Sequence, residues 1–339
     1  MNARYSRQQL FKPIGPKGQE KLGQKHVLII GAGALGTGIA ETLVRSGVGT
    51  ITIVDRDYVE WSNLQRQQLF NEEDARQRLP KAIAARHRLK EINSEVDIRT
   101  HIMDVTIREI EDLVKGVDLI LDATDNFEAR LLINDISQKI GIPWIYGACV
   151  GSYGLTFTVL PGITTCLNCL LENMPMGGAT CDTVGVIAPV VQMVISYQTS
   201  EALKILVEDL ISLHGKLISF DLWTNAHCAI KADKLKKPNC PSCGEKRTYP
   251  YLLSENLSHS AVLCGRDTVQ IRPAKPFSRN MKEVAQTLMQ QGGHVEANPY
   301  LISFTIGNHR LVIFQDGRVL IHGTKDIAQA RSLYTRYLG

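Results

Sequence analysis

The sequence predicts an α/β protein in which a doubly wound, mostly parallel Rossmann-like sheet is extended by further strands and carries two cysteine knuckles. Three observations support this prediction: a glycine-rich loop after an apolar strand, strands that alternate with helices, and two Cys-x-x-Cys pairs further along the chain. Residues 1–250 are expected to form this domain. Residues 254–339 are expected to form a small C-terminal α+β domain of unknown role.

Composition narrows the class of protein. The net charge of +4, from 38 basic and 34 acidic residues, is too small to indicate nucleic acid as the main partner. No apolar run is long enough to cross a membrane, and the N-terminal residues lack the apolar core of a signal peptide. Eight cysteines without such a signal indicate reduced thiols or metal ligands. We therefore expect a cytoplasmic enzyme that does not bind membranes.

The elements of the first domain follow from hydrophobic periodicity. Strands are expected at residues 26–30, 50–54, near 96–98, and at 117–121, 143–146, 155–159 and 217–221. Helices are expected at residues 34–46 and 80–92, through 131–136, and at 188–207. Strands that alternate with helices predict parallel pairing through right-handed crossovers.

The last part of the chain has a different pattern. It predicts a strand at residues 269–272, a helix at 281–290, strands at 301–305, 309–314 and 318–322, and a final helix through 328–333. Turns at residues 307–308 and 316–317 join the three consecutive strands. This order predicts a small module of strand, helix, three-stranded meander and helix.

A glycine-rich loop, Gly31-Ala-Gly33-Ala-Leu-Gly36, follows the first apolar strand. Such a loop makes a tight turn, lets the backbone approach a phosphate, and begins a helix whose N-terminus favours anions. Asp55 follows the next strand, where its carboxylate can accept hydrogen bonds from ribose hydroxyls. The alternative is that the glycines serve only strand–helix packing. With Asp55 at this spacing, nucleotide binding is favoured.

Polar residues after Asp55 favour ATP over a dinucleotide. Asn63 and Arg66 lie in a Ser-Asn-Leu-Gln-Arg-Gln segment, and Lys81 opens the third helix. A guanidinium and an ammonium there can compensate charge on phosphate oxygens, which a dehydrogenase does not require. Taken alone, each cation is more often a solvated surface residue. The chain contains no Gly-x-x-x-x-Gly-Lys-Ser/Thr motif, which argues against a Walker-type NTPase.

Two aspartates follow the fourth predicted strand. Asp125 comes at the carboxyl end, where doubly wound sheets place functional residues. One carboxylate together with phosphate oxygens and waters suits Mg²⁺. Asp122 competes for that role, and capping the loop is an equally good interpretation of Asp122.

The two Cys-x-x-Cys pairs are the strongest metal signal in the chain. Cys166 and Cys169 form one pair, and Cys240 and Cys243 the other, each beside turn-forming residues. This spacing is typical of a tetrahedral four-thiolate zinc site, and four thiolates leave no open position for a substrate. The zinc is therefore expected to be structural. Three other cysteines, at positions 149, 228 and 264, lie in strand-like segments and are expected to be core thiols.

Six motifs together resemble one family, the ubiquitin-activating-enzyme-like adenylyltransferases of the ThiF/MoeB/HesA type. They are Arg4-Tyr-Ser-Arg7-Gln, the glycine loop, Asp55 with the segment 62–67, Pro80-Lys81, Asp122-Ala-Thr-Asp125-Asn126, and the cysteine knuckles. The resemblance covers roughly residues 1–248. It implies a homodimer with an eight-stranded sheet. It also implies an ATP site made by Gly31, Gly33, Gly36, Asp55, Asn63, Arg66, Lys81 and Asp125.

The resemblance further implies a reaction and its partners. The C-terminal Gly-Gly carboxylate of a ubiquitin-like sulfur carrier protein attacks the α-phosphate of ATP, giving an acyl adenylate and pyrophosphate, for thiamin or molybdopterin synthesis. Arg66, Lys81, Asp125 with Mg²⁺, and Arg7 reaching into the partner subunit compensate the charge. The expected partners are the carrier and a sulfur donor such as a cysteine desulfurase.

Cys181 matches the cysteine with which thiamin-branch enzymes trap the carrier covalently, although molybdopterin-branch relatives carry it without an evident covalent role. The rhodanese extension frequent in the family is absent from this sequence. Two other enzyme classes stay open as alternatives. One is an NAD-dependent oxidoreductase; the other is a related enzyme that uses the same ATP site to activate a tRNA base or a peptide carboxylate.

Overall fold

The computed structural model of the chain describes residues 3–172, 184–253, 260–262, 267–272 and 280–338. Two units are distinguished, each with its own sheet. The first comprises Met1–Arg76 and Pro80–Asn256, and the second comprises Gln77–Leu79 and Leu257–Gly339. Among the described residues, no helix is long and apolar enough to cross a membrane.

The first unit contains an eight-stranded sheet. Its strands are β1 (His26–Ile30), β2 (Thr50–Asp55), β3 (Asp97–Ile102), β4 (Leu119–Asp122), β5 (Trp144–Val150), β6 (Tyr153–Val159), β7 (Leu217–Asp221) and β8 (Ala226–Ile230). Their order is β3-β2-β1-β4-β5-β6-β7-β8. The first five pair in parallel, and β6, β7 and β8 add to β5 in antiparallel fashion. The predicted doubly wound sheet with further strands is confirmed.

Helices lie along the chain between these strands. They are α1 (Ser6–Leu10), α2 (Gly15–Leu22), α3 (Ala34–Ser46), α4 (Glu72–Arg76), α5 (Lys81–Ile92), α6 (Ile110–Leu113), α7 (Phe127–Ile140), α8 (Leu167–Leu171) and α9 (Ala188–Leu206). The long helix α9 contacts α3, β5 and β6, whereas α7 contacts β4, β5 and α8. The central strands β1, β2 and β4 are mostly apolar, as expected for a parallel sheet that helices cover. In β1, every residue after His26 is buried.

Some elements differ from the sequence prediction. The strand β5 continues to Val150, beyond the predicted end at residue 146. The short helices α1, α2, α4, α6 and α8 and the strand β8 were not predicted. All five residues of β8 are exposed at the edge of the sheet, although its sequence Ala-His-Cys-Ala-Ile is mostly apolar.

The second unit contains a six-stranded antiparallel sheet in the order β11-β12-β13-β14-β10-β9. Its strands are β9 (Ser260–Val262), β10 (Thr268–Ile271), β11 (His294–Ala297), β12 (Leu301–Ile306), β13 (His309–Phe314) and β14 (Val319–His322). The helices α10 (Met281–Met289) and α11 (Ile327–Leu338) contribute to its core with Phe304, Ile313 and Ile321. The predicted elements are present, and β9 and β11 are two strands that the sequence did not predict.

Candidate functional site

The glycine loop connects β1 to α3 at the carboxyl edge of the sheet, and its three glycines have different surroundings. Gly31 has φ of +101°, and a Cβ there would lie 2.4 Å from the Ala123 carbonyl oxygen. A Cβ on Gly36 would lie 1.9 Å from the Gly31 carbonyl oxygen. A Cβ on Gly33 would meet no atom closer than 3.9 Å, the Gln67 amide nitrogen. The first and third glycines are therefore required for packing, while Gly33 leaves open space at the N-terminus of α3.

This difference predicts opposite effects for two alanine substitutions. Gly36→Ala is expected to lower the free energy of unfolding by more than about 1 kcal/mol, since the added methyl group overlaps backbone that cannot move aside. Gly33→Ala is expected to destabilise the fold less than Gly36→Ala does, because its added methyl group meets no atom closer than 3.9 Å, and to weaken ATP binding by filling the space that a phosphate would use. Chemical denaturation and calorimetric titration with ATP test both effects. Undiminished ATP binding by Gly33→Ala would contradict this interpretation of Gly33.

Asp55, at the end of β2, is hydrogen-bonded to the glycine loop. One carboxylate oxygen accepts from the Ala32 amide at 2.6 Å, and the other accepts from the Asp57 amide at 2.7 Å. Burial raises the pKa of Asp55, and the charge of Lys81 acts in the opposite direction. Each carboxylate oxygen keeps a second lone pair. The predicted contact with ribose hydroxyls therefore stays compatible with these bonds.

Two buried amide side chains, Asn63 and Gln67, lie in the chain segment 63–67, and the Gln67 nitrogen is near Gly33. The Asn63 oxygen accepts from the Glu60 amide at 3.0 Å, but the Asn63 nitrogen has no acceptor among the described residues. The Gln67 side-chain oxygen is also buried and has no donor there. A buried polar group without a partner costs about 1–3 kcal/mol, so such groups indicate a bound ligand or water. Asn63 was a predicted ATP contact, whereas Gln67 was overlooked although it stands in the same motif.

The two predicted phosphate-binding cations lie in different environments. Lys81 begins α5 and is buried, with 5% of its side chain exposed, and its Nζ lies 3.5 Å from an oxygen of Asp57. Arg66 is half-buried and donates to the Ser62 carbonyl at 2.9 Å. A buried ammonium and a half-exposed guanidinium can both compensate phosphate charge, but Lys81 is the more firmly fixed of the two.

Asp122 and Asp125, which the sequence could not separate, have different surroundings. Asp122 is fully buried; one oxygen accepts from Arg130 at 3.1 Å, and the other accepts from Thr124 at 2.9 Å and 2.7 Å. Asp125 has 73% of its side chain exposed, and Arg56 lies 3.6 Å from one of its oxygens. Asp122 therefore caps the loop internally. Asp125 is the carboxylate that suits a metal ion carrying phosphates and waters.

Arg56 is a further residue that the sequence reasoning did not single out. It lies between Asp55 and Asp57 in the chain, and its guanidinium is 3.4 Å from Asp104 in addition to its contact with Asp125. The charges of Asp104 and Asp125 raise the pKa of Arg56 against the opposing effect of burial. The sequence pattern that could have identified Arg56 is a basic residue between two acidic ones at the end of a buried strand.

The four knuckle cysteines come together in the first unit, as predicted. Their sulfur atoms all lie within 4.8 Å of one another, with 3.7 Å between Cys166 and Cys240 and between Cys169 and Cys243. A tetrahedral zinc ion with Zn–S bonds of about 2.3 Å separates its sulfurs by about 3.8 Å. All four side chains are buried. The arrangement fits a closed, structural zinc site.

The acidity of these thiols explains why a cation suits them. Burial raises the pKa of Cys169 to about 12, whereas a hydrogen bond from Cys166 lowers the pKa of Cys243 to about 5. Burial and the neighbouring thiols therefore favour the protonated form of Cys166 and Cys169 when no cation is bound. A zinc ion would replace those protons and let all four sulfurs act as thiolate ligands.

Three other sequence predictions have different outcomes. Arg7 lies on α1 and is exposed. Cys181 and Cys264 lie outside the described residues. Cys149 is partly buried, but Cys228 is exposed on the edge strand β8, so its assignment as a core thiol was wrong. An edge strand can resemble a core strand in composition while facing solvent.

The family model and two similar curated proteins agree with one another. A family model described as the ThiF family matches residues 5–242. The chain is 54% identical over 339 residues to the sulfur carrier protein ThiS adenylyltransferase of Bacillus subtilis (strain 168), covering 100% of both chains. It is 35% identical over 248 residues to the protein of that name in Escherichia coli (strain K12), covering 73% of this chain and 97% of the relative.

Among solved structures, the chain resembles MccB of Escherichia coli. The structure with ATP has a TM-score of 0.59 at 24% identity and covers 72% of this chain and 75% of that one. The complex of this microcin C7 biosynthetic enzyme with N-formylated MccA has a TM-score of 0.62 at 23% identity, with the same coverage. At this identity, the similarity supports a common fold.

Proposed function

The chain belongs to the ThiF family, and from this premise we propose that it adenylates the C-terminal carboxylate of a sulfur carrier protein for thiamin biosynthesis. The full-length similarity to a ThiS adenylyltransferase carries the proposal. It favours the thiamin branch over the molybdopterin branch. The carrier is proposed to be ubiquitin-like and to end in Gly-Gly.

In this reaction a carrier carboxylate oxygen bonds to the α-phosphorus of ATP while the bond to the bridging oxygen breaks and pyrophosphate leaves. The carboxylate is already ionised at neutral pH, so no general base is required. The main physical task is to bring two anions together and to stabilise the departing pyrophosphate. Positioning and electrostatic compensation therefore carry the rate.

Each site residue has a role in this proposal. The open space at Gly33 and the N-terminus of α3 receive phosphates, and Asp55 binds the ribose. The Asn63 side-chain nitrogen and the Gln67 side-chain oxygen, which have no partner among the described residues, are available to ATP. Five further residues complete the site: Gly31 and Gly36 shape the loop, Arg66 and Lys81 compensate charge, and Asp125 binds Mg²⁺. When bound, Mg²⁺ supplies positive charge on the phosphate oxygens.

The proposal includes an assembly and a compartment. We propose a homodimer in which Arg7, exposed on α1, reaches the ATP site of the partner subunit. A cysteine desulfurase is the proposed sulfur donor after adenylation. Because the reaction consumes ATP, the cytoplasm is the proposed location.

Pyrophosphate exchange tests the function directly. The protein is incubated with ATP, Mg²⁺ and labelled pyrophosphate, with or without a carrier protein of the ThiS type. Label is expected to enter ATP only when the carrier is present, because the reverse reaction needs the acyl adenylate. A carrier that lacks its terminal glycine serves as the control and should be inactive. Exchange without any carrier, or no exchange with the intact one, would contradict the proposal.

We also propose that Cys181 traps the activated carrier covalently. Cys181→Ala is then expected to keep normal adenylation, since acyl adenylate formation needs no thiol, and to lose most carrier thiocarboxylate when a sulfur donor is supplied. Mass spectrometry would detect a carrier–enzyme adduct in the native protein and none in Cys181→Ala. Cys228→Ala, which removes an exposed cysteine on β8, is the matched control. Undiminished thiocarboxylate in Cys181→Ala would exclude the covalent role.

A further inference from the structure

The loop of residues 123–126, which follows β4, contacts the glycine loop and carries Asp125. The Ala123 amide donates to the Ile30 carbonyl at 2.9 Å, and its carbonyl oxygen lies where it excludes any side chain at Gly31. Asp125, two residues further along, is the exposed carboxylate. Ala123 is held by its own backbone bond to Ile30, so a small displacement of residues 124–126 would move mainly the proposed metal ligand.

Arg130, on the first turns of α7, fixes this loop from its buried side. Its guanidinium donates to the Thr124 carbonyl at 2.7 Å, to the Asp122 carboxylate at 3.1 Å and to the Gly147 carbonyl at 3.4 Å. The other Asp122 oxygen accepts from both the amide and the hydroxyl of Thr124. One side chain thus joins the end of β4, the loop and β5.

The guanidinium is held in a fixed plane by aromatic contacts as well. Its central carbon lies 5.2 Å from the ring centres of Phe127 and Tyr146, and only 8% of the side chain is exposed. A planar, always charged group fixed by hydrogen bonds and rings has little rotational freedom. Two of its hydrogen bonds go to backbone carbonyls, that of Thr124 in the loop and that of Gly147 in β5.

Burial of this ion pair is weak evidence that it stabilises the fold, because the loss of hydration often cancels the attraction between the charges. Its geometry favours another role, since two of the three polar contacts set the position of residues 122–124. We propose that Arg130 is a positioning residue that holds Asp125 where it can bind the magnesium complex of ATP. This inference rests on the proposed function and deepens it.

Calorimetric titration with ATP, with and without Mg²⁺ and in the absence of carrier, tests the role. In the full-length wild-type protein, Mg²⁺ is expected to tighten ATP binding. In Arg130→Met this Mg²⁺-dependent gain is expected to fall by about tenfold or more, the effect typical of removing a group that orients a metal ligand. Binding of ATP without Mg²⁺ should change by less than about twofold, because the direct ATP contacts are kept.

Three further variants make the result specific. Arg130→Lys should restore part of the gain, and Asp125→Ala should abolish it. Arg45→Met, which removes an exposed arginine of α3, should leave it unchanged. If Arg130→Met does not fold, Arg130→Lys decides, because an ammonium keeps the charge but cannot make all three guanidinium bonds. A reduced gain in Arg130→Lys supports the proposal, and a full gain overturns it.

The outcomes separate this inference from the proposed function. A full Mg²⁺-dependent gain in Arg130→Met overturns the positioning role, and so does an equal loss of ATP binding with and without Mg²⁺. A wild-type protein that binds no ATP would instead overturn the proposed function. A third outcome is that Mg²⁺-dependent ATP binding needs Arg130 but no carrier-dependent pyrophosphate exchange occurs. That outcome would support the positioning role of Arg130 and exclude the carrier protein as the substrate.

Discussion

The Arg66→Ala variant is expected to fold as the wild type does and to adenylate the carrier about 10²–10³-fold more slowly, the cost of removing one group that stabilises transition-state charge. The described hydrogen bond of this side chain is local, to the Ser62 carbonyl, so its loss should change the free energy of unfolding by less than about 0.5 kcal/mol. The charge that it would compensate develops on pyrophosphate as the bond to the α-phosphorus breaks. The substitution should therefore lower the rate of adenylation and not the stability of the fold.

Carrier-dependent pyrophosphate exchange, measured over a range of ATP concentrations, distinguishes the two kinds of effect. If Arg66 acts mainly in the transition state, kcat and kcat/KM fall together; if it only binds ATP, KM rises while kcat is kept. Arg76→Ala is the matched control, because Arg76 lies on the nearby helix α4 and pairs with Glu73 at the surface. Near-normal exchange by Arg66→Ala would exclude the assigned role.

Strands and helices of the first unit could be predicted where neighbouring residues in the sequence define their ends. The strand His26–Ile30 and the helix Ala34–Ser46 have the predicted ends, because an apolar run and a glycine on either side of the helix define them. The strand β8 could not be predicted, since its residues face solvent on a sheet edge. Such a strand forms by pairing with β7, a partner that the sequence pattern does not identify.

The site shows the same division between local and tertiary information. The glycine loop, Asp55 and the Asn63 segment were predicted because each is a motif with its own chemistry. The difference between Asp122 and Asp125 could not be predicted, because both aspartates follow β4 and only the burial of Asp122 against Arg130 separates them. Contacts that bring residues from separate elements together, as between Arg56 and Asp104, have no signature in the linear sequence.

The cysteine site supports a second large expected effect, on stability. Helix α7 connects this site to the rest of the sheet: the Asn134 oxygen accepts from the Leu167 amide at 2.8 Å, and the Asp135 carboxylate accepts from the Tyr251 amide at 2.9 Å. These bonds fix the segment that carries the first knuckle and a segment that follows the second. The two pairs are 74 residues apart in the chain, so a metal ion that joins them closes a long loop.

The purified protein is therefore expected to contain about one zinc ion per chain, bound by Cys166, Cys169, Cys240 and Cys243. Cys240→Ser should lose the ion and about 4 kcal/mol or more of stability, the scale of effect that loss of a structural metal produces. Elemental analysis and thermal unfolding measure both quantities. Cys228→Ser is the matched control, because Cys228 is exposed and outside the cluster, and it should keep zinc and wild-type Tm. A metal-free wild-type protein, or a Cys240→Ser variant with unchanged Tm, would refute the structural zinc site, since four buried thiols that bind no cation would be only a packed sulfur cluster.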